Sequence, residues 1–393
     1  MTIPAGTEVP IRRRRAARVA RALVALVSAL VIAITGYGWF QVHGLVTGLT
    51  GADVIAPGAR TAEQNILLIG LDSRTDAQGN PLPQDLLAQL HAGASTDGGG
   101  LTDTMLLVHI PAGGGSATVI SIPRDSYVRI AGGYGTHKIN SAFAYGRNTA
   151  VDALKGTGMS GPALETQADA AGARTAIATV EQLTGVRITH FAAVNLVGFY
   201  DISQAVGGVP VCLLAPVHDE LSGADFPAGP QTVQGAAALA FVRQRHGLRN
   251  GDLDRVRRQQ AFLAGLARTV LSAGTLTDPA ALGRLAAALQ RAVTIDQGWD
   301  LTAFAGQLRL NPGTITFTTI PVGTLALQTP SDGEAVQVDP QEVAAFVRAV
   351  DAGSPAPAVP GSAPVAPGPA SSGSDLVPPV PRPFTASAPA CVN

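Results

Sequence analysis

The chain has 393 residues, 46% of them hydrophobic, which is ample for a large buried core. Its formal net charge is −1 and Lys138 and Lys155 are the only lysines, so a broad basic surface for nucleic acid is excluded. The two cysteines show no CxxC spacing and the seven histidines no HExxH pair, so no zinc motif is present.

The first element is a basic cluster, Arg12 to Arg15 with Arg18 and Arg21, followed by the uncharged run 22–40. A helix over that run rises about 28 Å, enough to span a hydrocarbon core. The arginines place residues 1–21 in the cytoplasm, and Tyr37 and Trp39 suit the outer interface. A cleaved signal peptide is the competing reading, but the run is long for one and Trp39-Phe40 is a poor cleavage site. Either way residues 41 onward are exported. Residues 41–61 read as a stalk, and NILLIGLDSR at 65–74 reads as a buried strand with Asp72 and Arg74 directly off its end.

Residues 76–101 are rich in Gly, Pro, Asp and Ser and read as a long loop with one helical piece around DLLAQL. Residues 101–125 then read as a hairpin. If the strand at 65–71 pairs antiparallel with 104–110, and 117–122 turns back, then Asp72, Asp103, Arg124 and Asp125 meet at one sheet edge. Such a group suits a hard metal ion bridging phosphate oxygens. For each aspartate taken singly, ordinary turn chemistry is the competing account.

Lys138 and Asn140 precede a helix. A Gly/Ala-rich connection leads to a helix at 173–185, the strand ITHFAAVNL, the helix GFYDISQAVGG and the strand VPVCLL. The apolar AALAFV predicts a further strand, which would aim Arg243 and Arg245 to one face. After Asn250-Gly251, Asp252 occupies an N-cap position, and Arg255 and Gln259 share a helical face with it. Taken alone, this stretch leaves open both an anion cradle and a solvated charged helix. Helices around 259–272 and 278–293, the strand TITFTTIPV and a helix at 340–351 complete an α/β domain whose mixed sheet is covered on both faces. From Gly353 the chain is Pro/Ala/Ser-rich and predicts an extended tail.

No GxSxG elbow and no paired glycosidase carboxylates are present. Acidic and guanidinium groups on an exported domain suit phosphoryl transfer, which needs positioning and charge neutralisation.

The segments NILLIGLDSR, LTDTMLLVHIP, VISIPRDSYVRI, HKINSAFAYG, GVRITHFAAVNLVGFYDISQAVGGVPVCL and ALAFVRQRHGLRNGDLDRVRRQQ, in this order, resemble the LytR-CpsA-Psr family of cell-wall glycopolymer transferases. The resemblance implies a three-layer αβα catalytic domain over 62–352 with a cavity for a lipid tail, and a separate tail at 353–393. It implies transfer of a glycopolymer, arabinogalactan in the actinobacterial type, from polyprenyl pyrophosphate to peptidoglycan. Asp72 and Asp103 match its magnesium-associated aspartates. Arg124, Arg243, Arg245, Arg255 and Gln259 match residues that hold the pyrophosphate; Arg124, Asp125, Arg243 and Arg245 are expected to be catalytic, and Arg74, Lys138, Asn140, Asp252 and Arg258, in or beside its motifs, are expected to bind substrate with Arg255 and Gln259. A lipid pyrophosphatase and a non-enzymatic envelope regulator or glycan-binding protein are the alternatives. Some relatives carry a cysteine near the position of Pro230. Here the partner left for Cys212 is Cys391, so a disulfide that folds the tail back is expected.

Overall fold

The computed structural model describes residues 44, 47–58, 62–90, 92, 100–220, 222–244, 247–248, 252–276, 278–307, 312–352, 383–387 and 389–393. By its contacts the chain divides into Met1–Gly48, of which only Gly44, Thr47 and Gly48 are described, and the body Leu49–Asn393. The apolar run 22–40 lies outside the described residues. Among those described, no helix is long and apolar enough to cross a membrane.

The body begins with β1 (Thr50–Ala52), inside the span expected as a stalk, followed by β2 (Gln64–Leu71) and the short helix α1 (Gln84–Gln89). Next come β3 (Thr102–Ile110), β4 (Ala117–Ser121), β5 (Ser126–Ile130) and β6 (Gly135–Lys138). β2 and β3 pair antiparallel from Gln64↔Ile110 to Leu71↔Thr102, and β3 and β4 pair antiparallel in turn. This is the arrangement that the alternation of these segments predicts. β2 is apolar almost throughout because both of its faces are covered. Leu67 and Ile69 enter one core and Leu68 packs against the other, as a period of two requires.

Two long helices, α2 (Ser141–Gly156) and α3 (Gly161–Thr184), cover the Leu67 face. α2 is the helix expected after Asn140, but α3 starts at Gly161 rather than 173 and takes up most of the expected Gly/Ala-rich connection. Pro162 at the first turn of α3 and the alanines that follow favour helix, and their small side chains let the pair approach closely. A Cβ on Gly172 would stand 2.7 Å from the Phe143 carbonyl oxygen.

β7 (His190–Val194), α4 (Leu196–Ala205), β8 (Val209–Leu213), β9 (Val217–Asp219), β10 (Ala224–Phe226) and β11 (Gly229–Val233) follow. The expected strand AALAFV is instead helix α5 (Ala236–Arg243). Short apolar runs do not distinguish the two states, and alanine, the best helix former, decides this one. Helix α6 (Asp252–Val270) lies on the Leu68 face and is headed by Asp252. It is followed by α7 (Ala273–Leu276), α8 (Pro279–Ala292), β12 (Val293–Asp296), α9 (Leu301–Gln307), β13 (Ile315–Thr319), β14 (Leu327–Gln328), β15 (Glu334–Gln337) and α10 (Pro340–Asp351).

The central sheet has eight strands in the order β1-β12-β7-β2-β3-β4-β13-β16, with parallel and antiparallel neighbours, where β16 is Phe384–Thr385. The last strand, β17 (Cys391–Val392), joins β8 and β11 in a separate three-stranded sheet. Cys212 of β8 stands opposite Pro230 on one side and Cys391 on the other, and is disulfide-bonded to Cys391. Residues 383–387 and 389–393, in the span expected as an extended tail, are thus built into the body.

Candidate functional site

The end of β2, the start of β3 and the segment after β4 meet at one edge of the sheet because those strands alternate in direction. Asp72 accepts a hydrogen bond from Arg74 Nη1 through Oδ1. Asp103 accepts one from Arg124 Nη1, also through Oδ1, at 2.6 Å. Asp125 lies 3.4 Å from Lys138 Nζ and 3.6 Å from Arg124 Nε. From the opposite side the first turn of α6 adds Asp252, 3.5 Å from Arg124 Nε and ion-paired to Arg255.

Asp72, Asp103, Arg124 and Arg255 border a cavity of about 320 Å³, whereas Arg74, Asp125, Lys138 and Asp252 stand behind them and do not line it. Asp72, Asp103, Arg124, Arg243, Arg255 and Gln259 line its charged part, and Leu71, Leu101, Leu196, Phe199, Leu239 and Val242 its apolar wall. Arg255 and Gln259 reach it together because they are four residues apart on α6. Arg243 closes the last turn of α5 and donates to the Leu90 carbonyl at 3.0 Å. Arg124 Nε and Arg255 Nε are buried without a hydrogen bond, as is Asp252 Oδ2.

Burial pushes the Asp252 carboxyl above the ordinary aspartate range, although Arg255 and Arg124 draw it down. Burial likewise lowers the Arg255 guanidinium, against the pull of Asp252. Cationic and anionic groups are therefore crowded into a poorly hydrated space, where charge interactions are strong.

Arg245 lies outside the described residues. Asn140 acts here through its main chain, accepting from the Thr102 amide at 3.1 Å and donating to the Arg124 carbonyl at 3.1 Å, so it braces the edge. Arg258, expected to contact substrate, is fully buried and does not line the cavity. It sits one residue before Gln259, about 100° around the helix. It donates to Gln244 Oε1 and to the Asn393 carbonyl, and lies 5.5 Å from the centre of the Phe241 ring. Burial lowers its pKa to about 10.

Asp219 and Ser222 also line the cavity, with Ser222 Oγ donating to Asp219 Oδ2 at 2.8 Å, and neither was read from the sequence. They flank a turn between β9 and β10, where Asp and Ser are ordinary.

Fold and site together define a mixed α/β body with an arginine- and carboxylate-lined cavity at a sheet edge. The LytR_cpsA_psr family model matches residues 50–349, and the chain belongs to this family. It is 43% identical over 348 residues to the Corynebacterium glutamicum "Cell wall biosynthesis protein LcpA", covering 86% of this chain and 66% of that protein. It is 30% identical over 241 residues to the Bacillus cereus "Polyisoprenyl-teichoic acid--peptidoglycan teichoic acid transferase TagU", covering 60% of this chain and 63% of that protein. The chain thus spans a little under two thirds of the length of these curated relatives. B. subtilis TagV has the same fold, with a TM-score of 0.52 at 20% identity over 74% of this chain and 96% of that one. An Enterococcus faecalis structure titled a transcriptional regulator also shares it, with a TM-score of 0.51 at 23% identity over 75% of this chain and 90% of that one.

Proposed function

We propose that this protein is a membrane-tethered phosphotransferase that moves a glycopolymer, arabinogalactan by the type of its motifs, from a polyprenyl-pyrophosphate carrier to peptidoglycan. One observation carries the reading: a single cavity joins a charged end to an apolar wall, as a pyrophosphate with a hydrocarbon chain requires. Leu71 borders both this cavity and a second one of about 500 Å³, whose lining includes Phe143, Ala150, Ala153, Leu154 and Phe191 and offers further apolar surface to the chain. The names of the relatives point the same way, and the disulfide suits an oxidising compartment outside the cytoplasm. The run 22–40 supplies the tether, with residues 1–21 on the cytoplasmic side.

Arg124, Arg243, Arg245 and Arg255 hold the pyrophosphate, and the unsatisfied Nε atoms of Arg124 and Arg255 are donors for its oxygens. An acceptor hydroxyl oxygen bonds to the sugar-proximal phosphorus as the bond from that phosphorus to the bridging oxygen breaks. Polyprenyl phosphate leaves with the bridging oxygen, and Asp125 takes the hydroxyl proton. Asp72 and Asp103 fit Mg²⁺, since both are hard oxygen donors on the same cavity and each uses Oδ1 for its guanidinium, leaving a second oxygen. When bound, Mg²⁺ supplies charge neutralisation at the phosphate oxygens.

Reconstitution with a defined lipid-linked glycan and a peptidoglycan oligomer, with mass analysis of the product, tests this. A phosphodiester-linked conjugate formed only with Mg²⁺ is expected. Release of glycan phosphate alone points to a pyrophosphatase, and tight lipid binding without turnover to a regulator.

A further inference from the structure

At the end of β2 remote from Asp72, a second group of ligating side chains lies outside the cavity just described. Asn65 and His109 are directly paired across β2 and β3, and Asp351 closes α10 above them. The seven residues from Asn65 to Asp72 set this group about 23 Å from the phosphate site.

The His109 ring is buried, at 4% exposure, and its Nδ1 faces three oxygens. Asn65 Oδ1 is at 2.9 Å, Asp351 Oδ1 at 3.1 Å and Glu63 Oε1 at 3.9 Å. The ligand atoms of Glu63, His109 and Asp351 all lie within 4.8 Å of one another. Among the described residues this is the one group of three or more His, Cys, Asp or Glu side chains with that property.

Asn65 Nδ2 donates to Glu63 Oε1 at 2.9 Å, but a single proton on Nδ1 cannot serve both Asn65 Oδ1 and Asp351 Oδ1. Asp351 Oδ1 accordingly remains buried without a hydrogen bond, despite its nearness to the ring. Four donors at bond lengths of about 2.0–2.2 Å from a tetrahedral ion stand roughly 3.3–3.6 Å apart, and the spacings from His109 Nδ1 bracket that value. One imidazole with carboxylate and amide oxygens suits zinc better than magnesium, which prefers oxygen alone. Glu63, at 43% exposure, leaves a path for entry.

We propose that Glu63, His109 and Asp351, with the Asn65 amide oxygen, form a site for a divalent transition-metal ion, zinc by its donor chemistry. The ion ties the last turn of α10 to the central sheet. It is a structural site, separate from the phosphate cavity, and does not depend on the function proposed above.

The test uses full-length protein stripped with chelator, dialysed, and titrated with zinc while bound metal and melting temperature are followed. Wild-type protein is expected to hold one equivalent at this site and to melt at a higher temperature when loaded. Asp351→Asn and Glu63→Gln should each weaken that equivalent about tenfold or more and remove the thermal gain. An Asp72→Asn, Asp103→Asn double variant should keep both. Glu63 is partly exposed, so its variant remains informative even if another fails to fold. Absence of a stoichiometric zinc ion, or unchanged affinity in both ligand variants, would overturn the assignment.

Discussion

Arg124 Nε stands 3.5 Å from Asp252 Oδ1, joining the sheet edge to the first turn of α6. The same guanidinium reaches Asp103 at 2.6 Å, so one side chain spans the two halves of the cavity. Arg124→Ala therefore removes a proposed substrate donor and leaves Asp103 without its hydrogen-bonded guanidinium, while Asp252 keeps Arg255. Charge-assisted contacts contribute about 1.5–3 kcal/mol, so transfer rates should fall about ten- to a hundredfold, with Arg243→Ala losing a similar factor. Steady-state assays on variants shown to be folded by circular dichroism check this. Unchanged rates in both would remove the proposed cradle.

Stability should depend on pH in opposite senses through two aspartates. Burial raises the Asp252 carboxyl above its unfolded value. The native state then binds its proton more tightly, and the stability this group contributes is lost as pH rises through the folded value. For Asp332 burial also pushes upward, but hydrogen bonds from His137 and the Lys138 amide outweigh it and hold the carboxyl low. Its contribution is present above the unfolded value and lost as pH falls through the folded one. Urea midpoints measured from about pH 3 to pH 8, spanning the ordinary aspartate range, should show it. Asp252→Asn should gain on wild type with rising pH, and Asp332→Asn with falling pH.

The disulfide closes a separation of 179 residues. Cys391→Ser should cost about 2–5 kcal/mol, read as a lower denaturant midpoint. Because Pro230 lies opposite Cys212 in the register of β11 and β8, adding Pro230→Cys to that variant should restore much of the loss. Peptide mapping under non-reducing conditions would identify the new 212–230 link.

Close approach of α2 and α3 depends on glycine. Gly172→Ala would place its Cβ 2.7 Å from the Phe143 carbonyl oxygen and 2.9 Å from the Phe143 ring. Overpacking of this kind costs about 1–3 kcal/mol. A thermal melt of Gly172→Ala against Gly283→Ala, where no atom lies within 4 Å, separates the clash from the effect of substituting a helical glycine.

How much of this was legible varies with the physics of each segment. β2, β3 and β4 announce themselves because apolar runs bounded by turns fix an antiparallel order, and that order alone brings Asp72, Asp103 and Arg124 together. The arginine stretch points to an anion site only jointly with that edge. α5 was misread because AALAFV has no period to separate strand from helix, and Arg243 reaches the cavity from a helix end instead. Arg258 carries the same charge as Arg255, but its packing against Phe241 is decided by tertiary contacts that no local pattern records. Asp219 and Ser222 stayed hidden because a turn aspartate acquires meaning only from what the fold places across from it.

β17 has a consequence for the order in which the body assembles. Val392 is buried in the core and pairs with Leu213 of β8, and Cys212 lies in that strand between β11 and β17. During synthesis β8 and β11 are complete long before residue 392 leaves the ribosome. Contacts between segments so far apart in sequence form slowly. One flank of β8 therefore stays open until residues 391–392 arrive, and the Cys212–Cys391 disulfide then holds that flank closed.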